Sequence, residues 1–253
     1  MAERPIFVPS PETPELVKEI FCELEWNSGF APVQKKKNIA ALHASAARRG
    51  FAPLLEVSTK SDSPLGQHLS AFNLKVRTPE FGEIPIECAF QGSKVFEQGG
   101  PYTDLYKVDA RDAKQDRRLQ ESGPLVGFSF EGKPFPLEPK TAFYDWLYIN
   151  AISPSWKQFS ALRQYAGYTD IEFNPYRSVN CQARSCALFV TLVSNGALQK
   201  AITSSEVFVE LLSRSTYRPH LEEQPKLEPR FAGKAQQLRN QRSLRTPDFL
   251  RRR

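Results

Sequence analysis

Glu87, Gln91 and Lys94 fall within about 60° of one another if the segment around them is a helix turning about 100° per residue. Cys88, Ala89, Phe90, Val95 and Phe96 make up the rest, with Gly92 and Ser93 as small positions. The pattern is a narrow polar stripe on a helix that is otherwise apolar nearly all round, and such helices are buried. A carboxylate and an ammonium without a solvated face are costly unless they are paired or line a cavity. One reading is a structural ion pair between Glu87 and Lys94. The other is a carboxylate and an amine held ready for acid–base or nucleophilic chemistry. Gly99, Gly100 and Pro101 are expected to end the helix.

Other chemistries find little support. His43, His68 and His220 are far apart and lack ligand spacing, so no metal site is expected, and no cofactor is implied. Neither glycine-rich phosphate-binding pattern occurs. Cys22, Cys88, Cys181 and Cys186 include no C-x-x-C and read as small buried hydrophobes in a reducing cytoplasm. No run of apolar residues is long enough to span a membrane. The opening MAERPIFVPSPETP has no apolar core and does not read as a signal peptide.

The net charge of +6 is unevenly spread. Lys226 to Arg253 carries nine basic and two acidic residues, a balance of +7, and the remainder carries 25 and 26, a balance of −1. The basic character belongs to a C-terminal tail. Such a tail can bind nucleic-acid backbone, dock on an acidic partner or keep the protein soluble.

The elements that must position the polar stripe can be read from periodicity and breakers. Residues 1 to 15 read as an extended lead-in and Phe21 to Trp26 as a strand. Val33 to Arg49 reads as a helix with Ile39, Leu42 and Ala46 on one face. Leu54 to Val57 is a short strand ending in the polar turn Ser58-Thr59-Lys60-Ser61. Leu69 to Val76 and Ile84 to Ile86 are extended. Arg111 to Gln120 is a charged helix and Val126 to Phe130 a strand. Thr141 to Ile152 and Ser155 to Tyr165 read as helices. Asn180 is expected to cap a helix reaching Val193, and Leu198 to Leu212 a last amphipathic one. Residues 216 to 253 are poor in aliphatics and rich in arginine, which predicts a disordered tail with a short helix near Lys234 to Gln241.

Four blocks in order resemble the NADAR family. They are LSAFN at Leu69 to Asn73, the E-x-x-F-Q-x-x-K register from Glu87 to Lys94, FYDWLY at Phe143 to Tyr148, and DIEFNPYRSVNCQAR at Asp170 to Arg184. The FNP and NCQAR words are most similar to NADAR proteins paired with DarT-type DNA ADP-ribosyltransferase toxins. The resemblance implies an α+β fold: a single helix-rich domain over residues 1 to 215 with a small β-sheet, followed by the tail.

It also implies cleavage of an N-glycosidic bond to ribose. That reaction needs the base nitrogen activated as a leaving group and the positive charge on the sugar carbon stabilised. Glu87 is the expected carboxylate. Lys94 is either an amine that attacks C1″ and passes through an imine, or a group that orients Glu87 or a phosphate. Asp170 matches the family's acidic loop residue, to activate water or hold ribose hydroxyls; Glu172 is the alternative match, and a loop cap is the plain reading. Trp146 and Tyr144 are candidates to stack on a base, although aromatic residues on a helix are usually core. Gln91 contacts ribose or buttresses Glu87. Ser58, Lys60, the Gly99-Gly100 amides and Arg184 are candidate phosphate donors. Asn73 lines the sugar site or stabilises its own turn. Lys35 to Lys37 is a solvated face.

The leading expectation is a glycosidase that removes ADP-ribose from guanine in DNA or guanosine, acting in the cytoplasm as antitoxin to a DarT-type toxin, with no membrane partner. The rivals are an N-glycosidase of a free ribose-phosphate metabolite and a non-catalytic protein that binds ADP-ribose or nucleic acid.

Overall fold

The computed structural model describes residues 1–29, 31–155 and 160–220. The expected tail from 221 onward, with its short helix, lies outside the described residues, as do residues 156–159 of the helix expected from Ser155. The fold is α+β.

The lead-in is a strand. β1 (Ala2–Ser10) pairs antiparallel with β2 (Leu16–Leu24) along its whole length. Pro5 and Pro9 lack an N–H to donate, and β1 meets its other neighbour in the sheet at Phe7, between them. α1 (Pro32–Ala47) lays Ile39, Leu42 and Ala46 on this hairpin, as its spacing predicts, against Ile6, Cys22 and Leu24. Gly50 then turns the chain at a φ of +86°, a conformation that costs glycine little. β3 (Leu54–Glu56) follows, and a polar turn leads to α2 (Pro64–His68). The extended stretch expected from Leu69 is mostly turn. Only β4 (Lys75–Thr78) is strand, paired with β5 (Gly82–Pro85).

α3 (Ile86–Gly92) is buried at every position, as its apolar circumference requires. It ends at Gly92, well before Gly99. A Cβ at Gly92 would stand 2.5 Å from the Tyr106 ring, so the chain passes that ring only as glycine. Ser93 bonds back to Ala89 O at 2.7 Å and to Tyr106 Oη at 2.8 Å. Val95 and Phe96 then favour a strand, and β6 (Lys94–Phe96) pairs with a later one. Lys94 is therefore the first residue of a strand and not part of the helix.

The helix expected from Arg111 to Gln120 is two: α4 (Ala110–Gln115) and α5 (Arg118–Glu121). Asp116 stands between them and accepts from the Arg118 amide at 2.9 Å, the local competition by which aspartate interrupts helices. β7 (Leu125–Phe130) and β8 (Lys133–Phe135) complete a three-stranded sheet with β6. α6 (Ala142–Ile152) is the expected aromatic helix, and Phe143 packs on Phe128 at 4.6 Å and Phe135 at 4.8 Å. Among the described residues of the next stretch, Ser153–Ser155 and Ser160–Gln164 form short 3-10 turns.

β9 (Gly167–Thr169) joins β1 and lies parallel to β3, with Glu56 opposite Thr169. α7 (Gln182–Ser194) crosses the core beside α6, buried without a break from Gln182 to Leu192. Its cap position is Cys181, one residue past the expected Asn180. The last expected helix is also two, α8 (Leu198–Ala201) and α9 (Ser205–Ser213), because Ser204 turns the chain and caps α9 through the Val207 amide. Residues 216–220 stay on the body: Tyr217 Oη donates to Glu19 at 3.0 Å, and His220 packs on Phe21.

Candidate active site

A cavity of about 680 Å³ opens where α3, α6, the ends of β3 and β9 and the loop before α7 converge. Small-ligand sites typically measure about 300–1,000 Å³. Its walls include Glu87, Gln91, Lys94, Ser58 and Asp170, all expected from the sequence.

Glu87 sits in the first turn of α3, where a carboxylate complements the helix dipole. It is 6% exposed. Gln91, one turn on, donates from Nε2 to Glu87 Oε1 at 2.9 Å. Among the described residues, the cation paired with that oxygen is Lys114 of α4, at 3.8 Å. Lys94 is not Glu87's ion-pair partner. Its Nζ lies 4.9 Å from the Phe90 ring centroid, a cation–π contact on the cavity wall. Burial pushes the Lys94 ammonium below its ordinary pKa; Glu87 opposes that shift and Lys114 adds to it. Phe90 in turn meets the Tyr144 ring edge-on at 5.2 Å. Tyr144 lines the cavity, so α6 does supply an aromatic wall.

Asp170 follows β9 directly. It is half-buried, and its Oδ1 accepts from the Glu172 amide at 3.0 Å. Gln182, the first residue of α7, bonds to the same carboxylate and takes the Ala71 amide on its own Oε1 at 2.7 Å. Burial first, then the charge of Glu56, raises the Asp170 carboxyl to about 8. Glu172 also lines the cavity but is exposed and paired with Lys35 at 3.1 Å. Asp170 is thus the more enclosed of the two acids.

Trp146, Arg184, Lys60, Asn73 and Gly100 lie outside this cavity. Trp146 stands two residues from Tyr144, about 200° round the helix, and packs on Phe130 and Phe135 instead. Arg184 stands two residues from Gln182 and faces away for the same reason. It pairs with Asp145, lies under the Tyr217 ring at 4.1 Å and borders a separate cleft of about 310 Å³. Lys60 gives only its backbone amide to the turn, bonding Ser58 Oγ at 3.1 Å. Asn73 is exposed and donates to Gln67 O at 2.8 Å, closing its own turn. Gly100, at φ +87°, lets the chain pass the Lys94 carbonyl, which a Cβ would approach to 2.2 Å. It shapes β6 and does not reach the cavity.

Several wall residues escaped the sequence reading. Lys114 and Arg177 look like ordinary surface charges in sequence. Asn180 and Gln182 lie inside a word whose Asn was assigned to a cap. Gln91 Oε1 and Asn180 Oδ1 are buried acceptors on cavity residues and have no partner among the described residues. Buried acceptors of this kind call for a donor.

No helix among the described residues is long and apolar enough to cross a membrane. No curated protein matches the chain. The family described as the DarT1-associated NADAR antitoxin matches residues 2–222, nearly the whole described body. The chain belongs to the DarT1-associated NADAR antitoxin family.

Proposed function

We propose that this protein hydrolyses the N-glycosidic bond between ADP-ribose and guanine in DNA, and that this reversal is how it acts as an antitoxin. The supporting observation is the convergence of Glu87, Lys94 and Asp170 on one cavity walled by Phe90 and Tyr144. In the reaction, the C1″–N bond breaks, the bonding pair leaves with the base nitrogen, and water oxygen ends on C1″. Glu87 faces the sugar and stabilises the charge developing on C1″. Asp170, protonated near neutral pH, is the proton donor for the leaving nitrogen. Lys94, whose amine is easier to deprotonate than an exposed lysine's, either attacks C1″ and forms an imine with the opened sugar or holds a phosphate. The unpaired Gln91 and Asn180 oxygens accept from ribose hydroxyls or from guanine N–H groups.

The test is to incubate the purified protein with an ADP-ribosylated DNA oligonucleotide and follow free ADP-ribose and restored guanine. Release that is lost in Glu87→Gln supports the proposal. Turnover of free ribose-phosphate compounds with none on DNA replaces the substrate, and binding without turnover of either replaces the chemistry.

A further inference from the structure

Glu56 is deeply enclosed, 3% exposed, and stands beside the cavity without being part of its wall. Its Oε1 accepts from Ser58 Oγ at 2.7 Å and from the Ile171 amide at 2.9 Å. Its Oε2 accepts from Thr169 Oγ1 at 2.6 Å. Thr169 Oγ1 in turn lies 2.8 Å from His43 Nε2 on α1. With His43 donating from Nε2, the threonine hydroxyl donates onward and the chain runs one way into the carboxylate. The parallel register of β3 and β9 makes this possible, because it sets Glu56 beside Thr169. One carboxylate therefore ties together Ser58, where β3 enters the cavity, and the turn that carries Asp170.

We infer that Glu56 is a positioning residue for cleavage: it holds the Asp170 turn against the Ser58 turn and sets a fixed negative charge behind the Asp170 carboxyl. This rests on the glycosidase reading for its consequence, but not for its geometry. Asp170 is faced by Glu56 of β3, by Glu172 of its own turn with Lys35 beyond it, by Cys181 and Gln182 at the start of α7, and by Tyr144 and Tyr148 of α6. Burial raises the Glu56 carboxyl as well, but it takes three donors that oppose the shift, whereas Asp170 takes two, the Glu172 amide and the Gln182 side chain. Donors stabilise the charged form of a carboxyl. Where two nearby acids share one proton, it therefore rests on Asp170 and the charge on Glu56. Gly66 supports the arrangement from the other side, where a Cβ would stand 2.0 Å from the Glu56 carbonyl oxygen.

The test is a carbon-13 titration of the full-length protein labelled at the aspartate carboxyls. Asp170 is assigned by the resonance lost in Asp170→Asn. In the wild type it should titrate near about 8. In Glu56→Gln it should titrate at least about one unit lower, since a neighbouring like charge has gone. With substrate, Glu56→Gln should lower kcat about tenfold or more with KM little changed, as misplacement of a reacting group does. The pH limb assigned to Asp170 should move with the titration, and Glu56→Asp should restore part of both. A wild-type Asp170 titrating in the ordinary carboxylate range overturns the inference without any variant. An unmoved resonance in folded Glu56→Gln overturns it as well. Because the titration needs no substrate, failure to cleave ADP-ribosylated DNA counts against the glycosidase reading alone.

Discussion

Gln91 donates its side-chain amide to Glu87 Oε1, and this one bond orients both groups. The donor end of Gln91 is committed to the carboxylate. Its carbonyl oxygen is therefore the end left unpaired among the described residues. The pair offers a ligand an anion and a neutral acceptor side by side. A sugar undergoing loss of its base presents a complementary set: positive charge at C1″ and hydroxyl donors next to it. The 3.8 Å approach of Lys114 to the same oxygen keeps this buried acid from standing uncompensated.

Glu87→Gln should fold normally, since the amide has the same shape and keeps an oxygen for Gln91 to donate to. Cleavage of ADP-ribosylated DNA should fall at least about 100-fold, the scale on which an acid–base group acts. Thermal melting would establish the fold and ADP-ribose release the rate. Near-normal turnover would remove Glu87 from the mechanism.

Lys94 separates two mechanisms. If its amine attacks C1″, borohydride added during turnover should trap a covalent ADP-ribose adduct, visible by mass spectrometry on the peptide carrying Lys94. Lys94→Arg keeps the charge but cannot form the imine, so it should be inactive and give no adduct. An active Lys94→Arg protein that is never trapped would leave Lys94 as a cation on the cavity wall.

Asp170 links the site to stability. Its folded pKa, about 8, lies above the unfolded value of about 3.9. The folded state therefore binds this proton more tightly than the unfolded chain does. That share of stability is fully present below about pH 4 and is lost as the pH rises through about 8. Asp170→Asn has no such proton to lose. Its melting temperature relative to wild type should climb over that range and level off above it. A difference that stays flat from acid to alkaline pH would show that Asp170 ionises as an ordinary exposed carboxyl.

What the sequence made legible follows from periodicity. The stripe of α3, the face of α1 and the aromatic α6 were readable because burial repeats with the helical turn. The ends were less so. Lys94 fits a helical spacing with Glu87, but Tyr106, outside the helix, requires glycine at position 92, and a strand starts at Lys94. Trp146 and Arg184 lie on the expected segments, yet two residues of helix separate each from the neighbour that faces the cavity. Which side of a fully buried helix faces a cavity is decided by what packs against it, and no local pattern encodes that. Glu56 was invisible for a related reason: its partners Thr169 and Ile171 are more than a hundred residues away.

The tail yields the last prediction. Lys226 to Arg253 holds +7 of charge, against −1 for the rest. We expect it to raise affinity for DNA and to take no part in the chemistry. The cut must spare Tyr217, which covers Arg184 and bonds Glu19, so truncation belongs after Glu222 and not at Ser215. The shortened protein should release ADP-ribose from ADP-ribosylated guanosine at the full-length rate. On modified DNA it should act more weakly, and its activity should depend less steeply on salt, because each lost phosphate contact removes roughly 0.7–0.9 from the log–log slope. Equal behaviour of the two proteins on nucleoside and DNA at every salt concentration would assign the tail to solubility or partner docking. It would also leave the DNA substrate resting on the cavity and the family alone.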